Sequence, residues 1–326
     1  MDKSMKIGLI LIGWGLLLGG ITRVFSGDNQ MRIEAEYEVN TYQYENKFDN
    51  IIVEVENETV EVKPSPDQKI HIIAMENEDN KLVVNEGANL EISMNSKNNI
   101  VFGPLSIGTI HRKIEVLVPD ELMSDISVTT KNGDINANEV SLKGLETKTT
   151  NGDIELSAIT ASQNAVVKNT NGRIKLNNLN VNGDLQANTV NGGIGIDNLE
   201  VNNVRVGTTS GDIDLVTMIV KNAIECETTN GDIDISASTV QETTMLKSTN
   251  GDIDARDLEV NSDVDATSTN GDITIGLAST IDNYAIMLES KVGNKQINHN
   301  QQTSLGEGKT QIDVSTNTGN VSVTTK

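Results

Sequence analysis

A five-residue phrase with the pattern x-Asn/Ser-Gly-x-Ile recurs eight times, at intervals of 19 or 20 residues, through the second half of the chain. The copies are KNGDI (131–135), TNGDI (150–154), TNGRI (170–174), VNGGI (190–194), TSGDI (209–213), and TNGDI at 229–233, 249–253 and 269–273. A fixed period of this length is typical of stacked-repeat proteins, in which each unit buries its apolar face only against its neighbours. The repeat therefore excludes most compact enzyme folds, and it does not by itself identify a ligand.

Apolar residues alternate with polar residues on both sides of each phrase, as in strands with one buried face. In one coil the predicted inward residues are Ile224, Cys226, Thr228, Ile233, Ile235 and Ala237. The residue two positions after every central glycine is isoleucine, which predicts one stacked column: Ile135, Ile154, Ile174, Ile194, Ile213, Ile233, Ile253 and Ile273. We therefore predict an all-β protein, a parallel β-solenoid (β-helix) with coils of about 20 residues.

The Asn-Gly pairs are predicted to turn sharp corners, with glycine supplying a positive φ. Asn-Gly between alternating runs also favours β-hairpins, so an antiparallel hairpin array is the competing fold. No proline follows Pro119, and no aromatic residue lies between Phe102 and Tyr284. Continuous backbone ladders explain the first absence and a narrow aliphatic interior explains the second.

The N-terminal segment differs sharply from the rest of the chain. Lys3 and Lys6 precede an uncharged apolar stretch that ends near Arg23, long enough to span a bilayer if Arg23 snorkels. We predict a transmembrane signal-anchor helix at 7–25, a cytoplasmic stub at 1–6 and an extracytoplasmic body, giving a single-pass protein of the cell membrane. A cleaved signal peptide is the alternative, although no small-x-small cleavage site is evident.

The body divides into four predicted segments. Residues 26–48 form a juxtamembrane spacer, and residues 49–124 form a strand-rich region or the opening coils of the same solenoid. The regular repeat occupies 125–283, and residues 284–326 supply C-terminal coils and a cap that begins near Tyr284. A cap is needed because the open edge of a solenoid otherwise exposes unpaired backbone groups.

Charge, cysteine content and the lack of known motifs limit the classes of function open to this chain. The net charge is −22 and the isoelectric point is about 4.4, which excludes a nucleic-acid partner because such a partner needs a basic face. The single cysteine, Cys226, cannot form an internal disulfide bond. No catalytic motif and no cofactor motif is present, so we predict that the protein is not an enzyme and needs no cofactor.

Aspartates flank the invariant isoleucines and would stack between coils at about 4.8 Å. The preferred interpretation is a solvated acidic face that keeps the rod soluble, with no metal site. The alternative is weak Ca²⁺ binding by Asp212, Asp214, Asp232, Asp234, Asp252 and Asp254. A threonine column beside the turns is attributed to β-propensity rather than to ligand binding: Thr150, Thr170, Thr209, Thr229, Thr249 and Thr269.

Three sequence stretches resemble a known family. They are KIEVLVPDELMSDISVTTKNGDI, the TTNGDI repeats, and the ending YAIMLESKVGNKQ with GEGKTQIDVSTNTGNVSV. Over about residues 49–326 the chain resembles the bacterial “putative adhesin” β-strand-repeat family, domain of unknown function 4097. The resemblance implies a secreted or membrane-tethered β-solenoid, and some family members lie in cell-envelope-stress operons; it supplies no catalytic residues.

The expected function is a non-catalytic structural, adhesin-like or binding role at the bacterial cell envelope. The expected partners are the membrane, through the N-terminal helix, and an unknown cell-surface protein or glycan. Two alternatives stay open: a β-helical scaffold that polymerises end to end, and a carbohydrate-active β-helix enzyme that uses the stacked acids. The ligand, the handedness of the coil and the oligomeric state do not follow from the residues.

Overall fold

The computed structural model of the chain describes residues 37–44, 48–96, 112–120 and 124–326. The predicted stub at 1–6 and membrane helix at 7–25 lie outside these residues. In the part of the chain that the structure describes, no helix is long and apolar enough to cross a bilayer. Helical structure in that part is limited to one 3-10 turn at Ile281–Asn283.

Strands make up nearly all of the regular structure. The N-terminal strands are β1 (Glu38–Tyr44), β2 (Asn50–Glu54), β3 (Thr59–Pro64), β4 (Ile70–Glu76), β5 (Asn80–Glu86), β6 (Asn89–Ser96) and β7 (Lys113–Val118). The first repeat coils contain β8 (Asp125–Thr129), β9 (Ile135–Asn138), β10 (Ser141–Leu142), β11 (Leu145–Lys148), β12 (Ile154–Ala161), β13 (Ala165–Lys168), β14 (Ile174–Val181), β15 (Leu185–Asn188) and β16 (Ile194–Val201).

The remaining strands complete the repeat and the C-terminal end. The repeat continues with β17 (Val204–Ser210), β18 (Ile213–Val220), β19 (Ile224–Asn230), β20 (Ile233–Ser236), β21 (Thr239–Val240), β22 (Thr244–Asn250), β23 (Ile253–Val260), β24 (Val264–Asn270) and β25 (Ile273–Leu277). The last strands are β26 (Tyr284–Val292), β27 (Lys295–Ile297), β28 (Asn300–Gln301), β29 (Ser304–Leu305), β30 (Thr310–Thr318) and β31 (Val321–Thr324).

Like residues of successive coils lie beside each other in parallel register. Ile154 pairs with Ile174 and Ile213 pairs with Ile233, and all eight isoleucines of the predicted column are buried. One sheet stacks the strands before the Asn-Gly corner and the other stacks the strands after it. The all-β parallel solenoid is therefore confirmed, and the antiparallel hairpin array is wrong for the repeat region.

A second bend divides the strand after seven of the eight corners. The residue six positions after the central glycine takes a left-handed conformation with φ between 48° and 58° in most coils, and 49° at Ala237. The bend breaks the period-2 alternation, so Ala237 is exposed and Ser238 is buried. The predicted inward position of Ala237 is wrong for this reason. Each coil with this bend consequently has three short faces rather than two.

The one-residue differences between coils fall outside the strands. Val181 pairs with Val201 and Leu185 pairs with Val204, so the corner between them has one residue fewer in the later coil. The corner between Leu142 and Leu145 is short in the same way. The strand register thus survives every switch between 19 and 20 residues because the deletion is absorbed by a turn.

The order of coils in space differs from their order in the sequence at both ends. The coil formed by β2 and β3 lies between the β6–β7 layer and the first repeat coil, β8–β9. At the other end, β30 and β31 are inserted between β24–β25 and the β26–β27 layer. The segment 284–326 therefore contains a terminal layer followed by a coil that returns inside it.

Antiparallel strands close the two ends of the stack. β1 pairs with β4 and β5 pairs with β6 at the N-terminal end, while β29 pairs with β26 and β28 pairs with β27 at the C-terminal end. β1 lies within the predicted spacer at 26–48. That boundary needs correction, because the folded body already begins at Glu38, where β1 continues the sheet.

Candidate functional site: the acidic corner

The central glycines form a column in which adjacent backbones are in close approach. A Cβ atom on Gly231 would lie 2.0 Å from the carbonyl oxygen of Gly211, and the same distance is 1.9–2.2 Å at every central glycine of the repeat. No side chain fits there. The predicted positive φ is found at Gly211, Gly231 and Gly251, at 156–158°, so the backbone conformation also favours glycine at these three corners. The glycine is required by the close approach of coils.

Aspartate follows six of the eight corner glycines, and its side chain accepts a structural hydrogen bond. Asp232 Oδ1 accepts the backbone N–H of Asp252 at 2.7 Å, and Asp252 Oδ1 accepts that of Asp272 at 2.7 Å. Asp212 Oδ1 accepts the N–H of Asp232 in the same way, at 3.0 Å. The corner column of carboxylates thus satisfies the backbone of the next coil, which offsets part of the repulsion between stacked like charges.

The asparagines of the corners form a ladder on the surface. Asn250 Nδ2 donates to Asn230 Oδ1 at 3.0 Å, and Asn270 Nδ2 donates to Asn250 Oδ1 at 3.0 Å. The ladder is also present in the earlier coils, where Asn171 donates to Asn151 at 2.9 Å. Side-chain amides therefore supply a second set of bonds between coils, outside the backbone ladders.

A buried column of hydroxyl groups lies behind each corner. Thr228 Oγ1 donates to the carbonyl oxygen of Gly211 at 3.1 Å, and Ser248 Oγ donates to that of Gly231 at 3.1 Å. The same bond is made by Thr149, Thr189, Thr208, Ser268 and Thr316, and by the side-chain amide of Asn169. Sequence analysis identified the half-buried or exposed threonines one position later and did not assign this role to the buried residues.

Replacement of Thr228 by valine should therefore destabilise the protein. The change keeps the shape but leaves the carbonyl oxygen of Gly211 without its donor, at a cost of about 1–3 kcal/mol. Thr229→Val is the matched control, because Thr229 is exposed, and we expect a change within about 0.5 kcal/mol. Chemical unfolding followed by circular dichroism measures both; equal midpoints for the two variants would contradict the assignment.

A second acidic column lies on the face after the corner. Asp214, Asp234 and Asp254 pair in register on three adjacent strands. Partial burial raises the pKa of Asp234, and the charges of Asp214, Asp254 and Asp232 raise it further, while Arg256 opposes them. The ionised form of Asp234 is therefore less favourable in the folded protein than in the unfolded chain.

The raised pKa of Asp234 predicts a pH effect on stability. Above this pKa the ionised side chain costs stability, and protonation removes that cost as the pH falls through the folded value towards the unfolded value of about 4. We expect Asp234→Asn to be more stable than the wild type at neutral pH, with the difference shrinking on acidification and in high salt. A difference that grows on acidification would contradict the raised pKa.

No group of three or more His, Cys, Asp or Glu side chains converges into a metal site among the described residues. In the predicted calcium candidates, the Oδ1 atoms of Asp212, Asp232 and Asp252 already accept backbone N–H groups. The remaining candidates, Asp214, Asp234 and Asp254, lie in one row along the face after the corner. Both columns are regular ladders rather than a shell of oxygens around one point.

Calorimetric titration of the full chain with Ca²⁺ tests the metal hypothesis. We expect no saturable heat, since the two ladders offer no convergent set of six to eight oxygens, the number that Ca²⁺ commonly takes. A saturable heat that weakens in Asp232→Asn would instead support a calcium site at the corner.

Two other features bear on chemistry. Burial raises the pKa of the Cys226 thiol, which is fully enclosed and points into the core, so the group lacks the exposed thiolate of a reactive cysteine.

A shallow open depression of about 370 Å³ lies at the short corner near Gly144, and one of about 310 Å³ lies at the short corner near Asn203. Both depressions therefore coincide with the missing residue of a 19-residue coil.

The family follows from comparison with known proteins. The family model described as Toastrack DUF4097 matches residues 48–324, which is most of the chain. The chain belongs to this family. The resemblance deduced from the repeats is confirmed, and the match includes both inserted end coils as well as the regular repeat. No functionally curated protein matches the chain by sequence.

Three solved structures are similar to this Toastrack chain. A “putative cell adhesion protein” from Clostridium sporogenes ATCC 15579 is 12% identical with a TM-score of 0.30, covering 89% of this chain and 100% of that one. A “putative adhesin” from Bacteroides fragilis NCTC 9343 is 13% identical with a TM-score of 0.38, covering 89% and 97%. A “putative adhesin” from Parabacteroides merdae ATCC 43184 is 12% identical with a TM-score of 0.25, covering 88% and 96%.

Proposed function

We propose that this Toastrack protein is a membrane-anchored extracytoplasmic rod with a non-catalytic, adhesin-like binding or structural role at the bacterial cell envelope. The observation that carries the proposal is the continuous stack of coils with closed ends. A solenoid of this kind offers a long, regular surface whose corners and faces repeat at about 4.8 Å per coil. An extended, regular surface of this type is better suited to binding a partner over a large area than to catalysis in a single active site.

The regularity of the coils weighs against catalysis. Between Gly133 and Gly271 no coil departs from its neighbour by more than one residue, and each departure lies in a turn. No long loop interrupts this part of the stack to form a cleft. The aspartates that a hydrolase would need are arranged as ladders, and those of the corner column hold the backbone of the next coil.

The closed ends weigh against polymerisation. End-to-end growth of a parallel solenoid needs an open edge that accepts another coil, and antiparallel strands occupy part of the edge at both ends. We therefore expect the full chain to show no filaments in electron micrographs. Filaments would favour the scaffold alternative.

The adhesin-like part of the proposal takes its support from membership in the Toastrack family, which the repeats resemble as a “putative adhesin” family, and from the long acidic surface of the stack. The resemblance of the repeats also implies a link to envelope stress in some relatives. We propose a cell-surface protein or a glycan as the partner, recognised over several coils rather than in one pocket. In the catalytic alternative, Asp232→Ala should abolish turnover of a glycan; a binding rod should keep its partner.

Cysteine labelling tests the anchored topology. The only native thiol, Cys226, is fully buried and should not react in the folded protein. In cells that express the full chain with Thr229→Cys, a membrane-impermeant maleimide should label the exposed new thiol without lysis, and the labelled chain should sediment with membranes. The wild type is the matched control and should stay unlabelled.

The outcomes of labelling separate the elements of the proposal. Labelling of Thr229→Cys only after lysis would contradict an extracytoplasmic body. Retention in the membrane fraction after removal of 7–25 would contradict the anchor. Capture of binding partners from intact cells then identifies the partner. If the unfolded protein fails to capture the partner while Asp232→Ala still captures it, recognition by the folded stack is supported.

A further inference from the structure

Eight Asn-Gly pairs occur in the chain, and one of them differs from the others in its position in the coil and in its hydrogen bonds. Asn-Gly is chemically labile because glycine offers no side chain to obstruct the attack of its backbone nitrogen on the asparagine side-chain amide. Seven pairs lie at the corners described above, with their asparagines at 132, 151, 171, 191, 230, 250 and 270. The eighth, Asn182-Gly183, lies at the third corner of its coil, between β14 and β15.

Each corner asparagine donates its side-chain amide to a neighbouring coil, and at every corner except Asn151-Gly152 the glycine N–H is bonded as well. Asn250 Nδ2 donates to Asn230, its Oδ1 accepts from Asn270, and the N–H of Gly251 donates to the carbonyl oxygen of Asn270 at 3.0 Å. Asn171 is held in the same manner, and the Gly172 N–H donates to Asn191 at 3.0 Å. Attack by the glycine nitrogen at such a corner first requires breaking bonds between coils.

Asn182 has none of these restraints. Its side chain is exposed and makes no hydrogen bond within the described residues, and neither does the N–H of Gly183. The carbonyl oxygen of Asn182 accepts the side-chain amide of Asn202 at 2.6 Å. A donor on this oxygen withdraws electron density from the peptide group and so makes the Gly183 N–H more acidic, which favours the nucleophilic form.

We propose that Asn182 is a site of spontaneous covalent modification, selected by the fold from among the eight Asn-Gly pairs. The deprotonated Gly183 nitrogen attacks Cγ of Asn182, the Cγ–Nδ2 bond breaks, and ammonia leaves after taking up a proton. Water then opens the cyclic imide at either carbonyl and gives aspartate or isoaspartate. No oxidation or reduction is involved, and water is the one co-reactant.

The modification changes the surface beside the depression near Asn203. Either product adds a negative charge two residues before Asp184, whose carboxylate accepts the Asn203 side-chain amide at 2.7 Å. Isoaspartate also adds a methylene to the backbone. The Asn182–Gly183 corner can accommodate it because the flanking strands, not the turn, carry the register with the coils on each side.

Peptide mapping by mass spectrometry of the aged full chain tests the proposal. In the folded protein we expect conversion at Asn182 to be about tenfold faster, or more, than at Asn171, Asn230 or Asn250, because those sites must open first. The same chain unfolded in urea is the matched control, and all eight pairs should then react at comparable rates. Equal rates in the folded protein, or faster conversion at a corner asparagine, would overturn the proposal.

Asn202→Ala provides a second measurement. The change removes the donor from the Asn182 carbonyl oxygen without touching the corners, and we expect conversion at Asn182 to slow several-fold while the other sites are unaffected. An unchanged rate at Asn182, with circular dichroism showing an intact fold, would overturn the role of Asn202.

Discussion

Gly231→Ala is expected to destabilise the solenoid severely. The new methyl carbon would lie 2.0 Å from the Gly211 carbonyl oxygen and 2.5 Å from its carbonyl carbon. Both atoms belong to the backbone of a coil that is itself held on its other side, so neither can move without breaking the ladder. Overpacking of interiors typically costs 1–3 kcal/mol, and here we expect about 3 kcal/mol or more because the obstacle is backbone.

Gly195→Ala is the matched control for this prediction. Gly195 belongs to the same repeat and lies in β16, three residues after the central glycine Gly192. A Cβ atom on Gly195 would meet nothing within 4 Å. We expect an unchanged or slightly raised stability, since alanine restricts the unfolded chain more than glycine does. Chemical unfolding followed by circular dichroism compares the two. A tolerated Gly231→Ala would mean that the coils do not approach as closely as the structure shows.

Arg112→Met should produce the other large loss. Glu58 occupies the position of the corner glycine in the coil formed by β2 and β3, next to the first repeat coil. Its side chain is 1% exposed and pairs with Arg112, the Nη2 of which lies 2.7 Å from Glu58 Oε1. Removal of the arginine leaves a buried carboxylate without its charge partner, which costs about 3–5 kcal/mol.

Two variants accompany Arg112→Met. Lys131→Met breaks an ion pair with Glu56 whose side chains are 63% and 59% exposed, and it should cost less than about 1 kcal/mol. The double variant Glu58→Leu with Arg112→Met should recover most of the loss, because no buried charge is left. Because a stack of repeats can unfold in more than one step, the midpoint of each transition is the quantity to compare. No recovery in the double variant would contradict the explanation.

The repeated phrases were sufficient to predict the central part of the fold. Isoleucines at a constant position, alternation around them and the absence of proline together favour parallel stacking of like residues over an antiparallel hairpin array, and Ile154 does pair with Ile174. The bend at Ala237 could not be predicted in this way, because alanine, asparagine, threonine and glutamate all occupy the left-handed position. The sequence did contain one indication of the bend, in most coils a pair of adjacent polar or small residues after the second buried position of the strand. An analysis that assumes strict alternation of buried and exposed residues misses it.

The roles of the corner residues were predicted less well than their positions. Sequence analysis placed the aspartates in a column and weighed solvation, metal binding and catalysis for them, but not a hydrogen bond to the backbone of the next coil. The bond from Asp252 N–H to Asp232 Oδ1 depends on a backbone group 20 residues away. Likewise, alternation predicted that Thr228 faces inward, but it could not show that the Thr228 hydroxyl donates to the carbonyl oxygen of Gly211 in the neighbouring coil.

The sequence by itself determined that this chain is a helix-poor solenoid with aligned isoleucines, because a constant period allows each coil to bury its apolar residues only against an identical neighbour. Only the tertiary structure decided the order of the end coils. Residues 50–64 and 310–324 show the same alternation as any other coil. Nothing in their local sequence indicates that 50–64 lies between the later β6–β7 layer and the repeat, or that 310–324 lies between the repeat and the earlier β26–β27 layer. Which strand lies at an edge depends on contacts between distant segments, and a repeat pattern that is the same in every coil cannot specify it.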